Sequence, residues 1–205
     1  KGVKLSSSLR VSANSVKGNF TVNNPNFNYS GRGLNTNIES SKTDRLSQSG
    51  YETAKVGFSL GTSFEEYEDL YFSPTISFFS EKINAISTAS DAIKKQEGSY
   101  FETKLAYSLN YDQRDRSYQP RDGYRSVFSQ SIPLISDDYA LRNTYEITKW
   151  HQFENKMISD LGFYVSAIDS LTNENVKISS RIILPKNRLR GFESGKIGPK
   201  DGFDY

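Results

Sequence analysis

The feature that most limits what this chain can fold into is strict alternation. Phe101, Thr103, Leu105, Tyr107, Leu109 and Tyr111 are interleaved with Glu102, Lys104, Ala106, Ser108, Asn110 and Asp112. An apolar side chain at every second position is the period of a strand with one apolar and one wet face. The same pattern opens the chain, where Val3, Leu5, Leu9, Val11 and Ala13 oppose Lys4, Ser6, Ser8, Arg10, Ser12 and Asn14. It returns at Ala54, Val56, Phe58 and Leu60, and again at Leu161, Phe163, Val165 and Ala167. Shorter runs lie at Phe20 and Val22, at 34–41, at Leu70, Phe72, Ile76 and Phe78, and at 124–132 and 140–153. The pattern predicts about nine antiparallel strands over residues 3–169.

Between the strands the sequence places a short turn at 15–17 and a turn cluster from Asn23 to Gly33 that contains Pro25. A polar loop is expected at 42–50, an acidic turn at 64–69, a long exposed loop at 83–98, and turns at 133–138 and 154–156. From 170 to 205 regular alternation fades, apart from 176–184, and a loop of that length in a compact design usually has a function. Lys1 begins inside a strand pattern and Tyr205 ends in a loop, so the sequence reads as an internal piece of a longer chain.

Composition decides between two all-β architectures. Only 35% of the residues are hydrophobic, yet there are 13 Tyr and 13 Phe, too many aromatics for a disordered chain. A soluble sandwich would use strands of about six residues buried against a second sheet. Here several strands reach the length of a tilted membrane crossing, with Tyr and Phe near their ends. Short turns are expected at one end and long loops at the other. A charge on the lipid face at mid-bilayer costs about 2–4 kcal/mol, and Arg10, Lys55, Glu102, Lys104 and Asp160 all fall on the polar face. The expected fold class is therefore an all-β, antiparallel transmembrane β-barrel.

Charge and residue chemistry remove other classes. The net charge is +2 with the cations dispersed, which leaves no footprint for nucleic acid. Cysteine is absent, so disulfides, thiolate metal sites and a cysteine nucleophile are excluded. His151 is the only histidine and sits at a strand end beside Trp150, which reads as an interfacial anchor rather than a catalytic neighbour. Asp137 with Asp138, and Asp112 with Asp115, lack the ligand count of a calcium loop and read as turn caps. Arg114 between Asp112 and Asp115 reads as a turn-stabilising charge cluster. No catalytic residue, cofactor or metal is expected.

Residues 188–199 stand apart. Arg190, Gly191 and Phe192 set a cation, a flexible glycine and a large aromatic side by side, and Gly195, Gly198 and Pro199 follow. On its own this is a surface turn with an arginine, whose planar fork of donors suits a carboxylate. Arg190, Gly191 and Phe192, with Ser194, Gly195, Lys196, Ile197, Gly198 and Pro199, resemble the arginine-glycine-phenylalanine motif in the sixth extracellular loop of the BamA-type outer-membrane assembly factors. Asp112, Arg114, Asp115, Pro120, Gly123 and Arg125 resemble a periplasmic turn of that family. Asn24, Pro25 and Phe27 resemble another, with Asn26 where an aromatic usually stands.

The resemblance implies that residues 1–205 are part of one outer-membrane barrel of sixteen strands, with the POTRA domains outside this sequence. It implies that the final loop folds into the lumen and that Arg190 meets acidic residues on later strands. The implied function is to fold and insert β-barrel precursors into the outer membrane. The implied partners are outer-membrane lipids, unfolded precursors, assembly-complex lipoproteins and periplasmic chaperones. An autotransporter-assembly factor or a two-partner secretion transporter of the same superfamily, and a diffusion porin, are the alternatives.

Overall fold

The computed structural model describes residues 2–137, 139–172, 175–182, 188 and 191, with the side chain of Gln48 excepted. Among the described residues the chain forms β1 (Lys4–Ser12), β2 (Ser15–Asn24), β3 (Gly33–Arg45), β4 (Tyr51–Tyr67) and β5 (Leu70–Ala85). It continues through β6 (Gly98–Asp112), β7 (Gly123–Ser136), β8 (Ala140–Gln152) and β9 (Ile158–Ser170). They make one nine-stranded sheet in which each strand pairs with its neighbours in sequence, antiparallel throughout. Two single-turn helices, α1 (Leu46–Ser49) and α2 (Asp91–Lys94), lie in connections.

Register explains why one face is apolar. Phe20, Ile38, Phe58 and Phe78 stand opposite one another across β2 to β5, and Leu60, Ile76, Leu105 and Ile132 form a second row across β4 to β7. Phe58 and Phe78 stack with centroids 6.0 Å apart. Among the described residues these side chains meet no second layer, and Leu161 is 79% exposed. An apolar sheet face of this extent needs an apolar medium. Midway across it, the Tyr107 hydroxyl donates to Gln130 Oε1 at 2.9 Å, and Gln130 Nε2 donates to Asn143 Oδ1 at 2.6 Å. These three polar side chains thus satisfy one another, as a low-dielectric surrounding demands.

The opposite, inner face carries the described part of the chain beyond β9, residues 177–180 and Arg188. Its apolar centre is small: Tyr51, Ile83, Ala89, Ile93 and Ile178, backed by Ala85 and Tyr100. Gly57 on β4 leaves room for the ring of Phe79, which a Cβ there would strike.

Several connections differ from the sequence expectation. The turn expected at 15–17 lies at 13–14, and β3 runs on to Arg45 before α1. β4 continues to Tyr67, so the acidic turn shrinks to Glu68 and Asp69. Pro133 lies inside β7, where the register against β6 shifts between Glu102 and Lys104. That bulge accommodates a residue with no ladder donor. The loop expected to be exposed at 83–98 contains the last residues of β5 and α2, and buries Ala89 and Ile93. Nor does loop length segregate by end. One end of the sheet holds connections 13–14, 46–50, 86–97 and 137–139, and the other holds 25–32, 68–69, 113–122 and 153–157.

Candidate functional site

The site is the place where the tail beyond β9 returns to the inner face. Leu171 N–H donates to the Tyr139 carbonyl at 2.8 Å, which holds the tail at the end of the sheet where β9 finishes. The chain then reaches across to β5 and β6 and forms a 3-10 turn at Ile178–Ser180. Lys177 is the anchor, only 4% exposed. Its ammonium lies 2.7 Å from Glu81 Oε2 and also pairs with Glu102 Oε1. Glu102, 1% exposed, is further held by Lys104 at 2.9 Å and Lys55 at 3.4 Å.

These charges meet because of strand register. Lys55 on β4 faces Glu81 on β5, and Phe79 on β5 faces Glu102 on β6. Alternation then puts Lys55, Glu81, Glu102 and Lys104 on one face. Lys55 also lies 4.3 Å over the Phe79 ring, and Lys177 lies 4.6 Å over Tyr100. Burial works against the charged form of Lys177, but its hydrogen bonds and charge pairing with Glu102, and then with Glu81, prevail and raise its pKa. The Lys177 ammonium is charged at any physiological pH.

Further bonds fix the same segment. Ser179 Oγ donates to Glu81 Oε2 at 2.8 Å, and Ile178 N–H donates to Gln96 Oε1 at 2.7 Å. The Arg142 guanidinium on β8 donates to the Ser180 carbonyl. The Ile178 side chain joins the apolar cluster beneath. The tail then comes back toward β8 and β9. Arg188 Nη2 lies 2.7 Å from Glu146 Oε2, midway along β8, and its guanidinium sits 4.1 Å from the centre of the Tyr164 ring on β9. Residues 177–180 therefore brace β5, β6 and β8, and Arg188 meets β8 and β9 further along the inner face.

Of the loop motif, Gly191 adopts φ +89, the left-handed region that a glycine enters freely. Arg190, Phe192, Gly195, Ile197, Gly198 and Pro199 lie outside the described residues. The two turn motifs both lie at the opposite end of the sheet. Asn24 Oδ1 accepts from Asn26 N–H at 3.2 Å, Pro25 follows β2, and Phe27 opens a 3-10 turn with its ring half exposed.

Asp112 takes both arms of Arg114, at 2.6 Å each. Asp115 Oδ1 accepts from the backbone N–H groups of Arg121 at 2.8 Å and Asp122 at 3.3 Å, and Oδ2 accepts from Arg116 at 3.0 Å. Those backbone bonds first, and the Arg116 side chain with them, hold the Asp115 pKa down at about 2. Pro120 lies in the same connection, and Gly123 closes it at φ +96, where a Cβ would collide with the Gln113 carbonyl oxygen. Gln113 also reaches Asp69 Oδ2 at 2.8 Å, tying this turn to the one between β4 and β5.

Sequence reasoning put Lys55, Glu102 and Lys104 on the wet face but found neither Lys177, the further partner of Glu102, nor the roles of Glu81, Arg142 and Glu146. No local signal links residues so far apart in the chain. Trp150 proves to be no lipid-facing anchor. It shares the inner face of β8 with Arg142 and Glu146, and the Arg114 guanidinium lies 5.6 Å from its ring centre. Asp137 does cap a neighbouring strand, accepting from Phe101 N–H at 2.6 Å, while Asp138 lies outside the described residues. Among the described residues no group of three or more His, Cys, Asp and Glu side chains could hold a metal ion.

A meander sheet with an apolar outer face and a tail pinned to its inner face defines an outer-membrane barrel protein. The sequence matches the Omp85 superfamily domain over residues 1–205, and the chain belongs to that superfamily of β-barrel assembly and secretion proteins of the bacterial outer membrane. Among solved structures it is similar to the crystal structure of BamA from Haemophilus ducreyi lacking POTRA domains 1–3. The TM-score is 0.84 at 18% identity, and the match covers 97% of this chain and 41% of that one. No curated protein matches the chain by sequence.

Proposed function

We propose that this chain is barrel wall and lumenal brace of an assembly factor that folds and inserts β-barrel precursors into the outer membrane. The observation that carries the reading is the pinned tail. Residues 177–180 are tied to β5, β6 and β8 by buried ion pairs and hydrogen bonds, and Arg188 then pairs with Glu146. On this reading the tail end of the sheet is extracellular and the end with the Asn24 and Asp112 turns is periplasmic. Arg190, two residues beyond Arg188, pairs with carboxylates on strands outside this sequence. The chain does no bond chemistry. It works with outer-membrane lipids and unfolded precursors, and assembly-complex lipoproteins and periplasmic chaperones meet it from the periplasm. An exposed strand edge elsewhere in the full barrel would template the incoming chain by strand addition.

Superfamily membership favours an autotransporter-assembly factor or a two-partner secretion transporter as the second reading, and leaves a diffusion porin without support. The test is reconstitution of the full-length protein in liposomes with an unfolded β-barrel precursor. Faster acquisition of heat-modifiable mobility by the precursor is expected. Export of a soluble passenger, or steady ion conductance, with no effect on precursor folding would overturn the reading.

A further inference from the structure

Beside the anchor, a cavity of about 200 Å³ opens on the inner face between β3, β4 and the docked tail. Its wall presents Arg45, Lys55, Ser41, Thr43, Thr53 and Ser179. The strand residues converge because Ser41 faces Lys55, Thr43 faces Thr53 and Arg45 faces Tyr51 across the β3–β4 ladder. The Arg45 guanidinium makes no hydrogen bond or ion pair with any described residue. A partly buried arginine fork beside three hydroxyl groups is an array of donors turned toward the cavity.

The local charge count points the same way. Among the described residues at the cavity and the anchor, Arg45, Lys55, Lys104 and Lys177 supply four positive charges and Glu81 and Glu102 two negative ones, an excess of two. Glu81 lines the cavity, but its Oε2 is taken by Lys177 and Ser179. Lys17 and Glu39, also on the inner face, pair with each other at 3.0 Å and add nothing. The outward Lys42 is bound to Glu52 at 2.9 Å on the other face.

We propose that this cavity is an oxyanion site that takes a phosphate group, either the free ion or a small phosphate monoester. Arg45 grips two oxygens, Lys55 supplies a second charge, and the hydroxyls of Ser41, Thr43 and Thr53 donate to the remainder. A dianionic phosphate matches the excess of two that the described residues carry. The space is below the ~300–1,000 Å³ of pockets for drug-sized ligands, which restricts the occupant to a small one. Its position on the inner face, away from the apolar face, makes that occupant water-borne. Because Ile178 and Ser179 form one wall, the site exists only while the tail is docked.

The test is calorimetric titration of the full-length protein in detergent with inorganic phosphate and, separately, glycerol phosphate, with chloride at matched ionic strength as control. Saturable phosphate binding is expected. Arg45→Gln should weaken it about tenfold or more, the loss from removing one charge-assisted donor group, while heat-modifiable mobility is unchanged. Thr53→Val, which keeps every charge, should weaken it by a smaller factor. Equal or tighter binding of glycerol phosphate marks a monoester as the ligand, and binding of inorganic phosphate alone marks the free ion. Absence of saturable binding of either, or equal affinity in wild type and folded Arg45→Gln, overturns the proposal.

Discussion

At the scale of single residues, the anchor predicts unequal costs for similar substitutions. Lys177→Met leaves Glu81 buried at 3% exposure without its cation. Stripping one partner from a buried pair costs about 3–5 kcal/mol, and the midpoint of urea unfolding of the full-length protein, read by gel mobility, should fall accordingly. Lys104→Met should cost clearly less, since Glu102 keeps Lys177 and Lys55. Equal midpoints for the two variants would contradict this account. At the other end of the sheet, Gly123→Ala must hold φ +96 with a side chain and push the Gln113 carbonyl aside. Strain of that kind costs about 1–3 kcal/mol, visible in the same unfolding assay. Asp115 carries a pH signature. Its pKa is lowered from 3.8 to about 2, so the stability it lends the turn is complete above 3.8 and is lost as pH falls through 2. Protection of the Arg121 and Asp122 amides against hydrogen exchange should persist at pH 4 and fade as the pH falls toward 2.

Among elements, the tail is the one whose loss should matter most. Arg190→Ala in the full-length protein should weaken the barrel and lower outer-membrane protein levels, because its proposed carboxylate partners would be left unpaired. Unchanged gel mobility together with normal levels would remove the brace from the mechanism. The strands themselves were legible in sequence, since a lipid-facing surface must place an apolar residue at every second position. Their ends were not. Ladder bonding carries β3 to Arg45 and β4 to Tyr67 in residues under no demand to be apolar. α2 was equally hidden, because its buried Ile93 gains its core from Ile178 of the tail rather than from a face of its own. The stretch at 188–199 was recognisable as special, yet the better-defined attachment lies upstream at Lys177, which has no motif. A lysine in a polar loop looks like any other until Glu81 and Glu102 are brought beside it.

On the scale of the whole molecule, the sheet formed by the described residues has two unpaired edges. β1 bonds only to β2 and β9 only to β8. Lipid offers no partner to an open ladder, so the 205-residue chain by itself should not insert as a closed barrel. Its recovery from liposomes as a protease-resistant, heat-modifiable species would refute that. The pinned tail also sets an order of events in time. Every strand ladder joins neighbours in sequence, so the wall can zip up hairpin by hairpin with little entropy lost at each step. Lys177 meets Glu102 across 75 residues and Ser179 meets Glu81 across 98. Such contacts form only once β4, β5 and β6 already stand in register. The interior is therefore built hollow and wet, and its plug arrives last, expelling water from Glu102, which Lys55 and Lys104 have kept company until then, and from Glu81, which has waited without a cation.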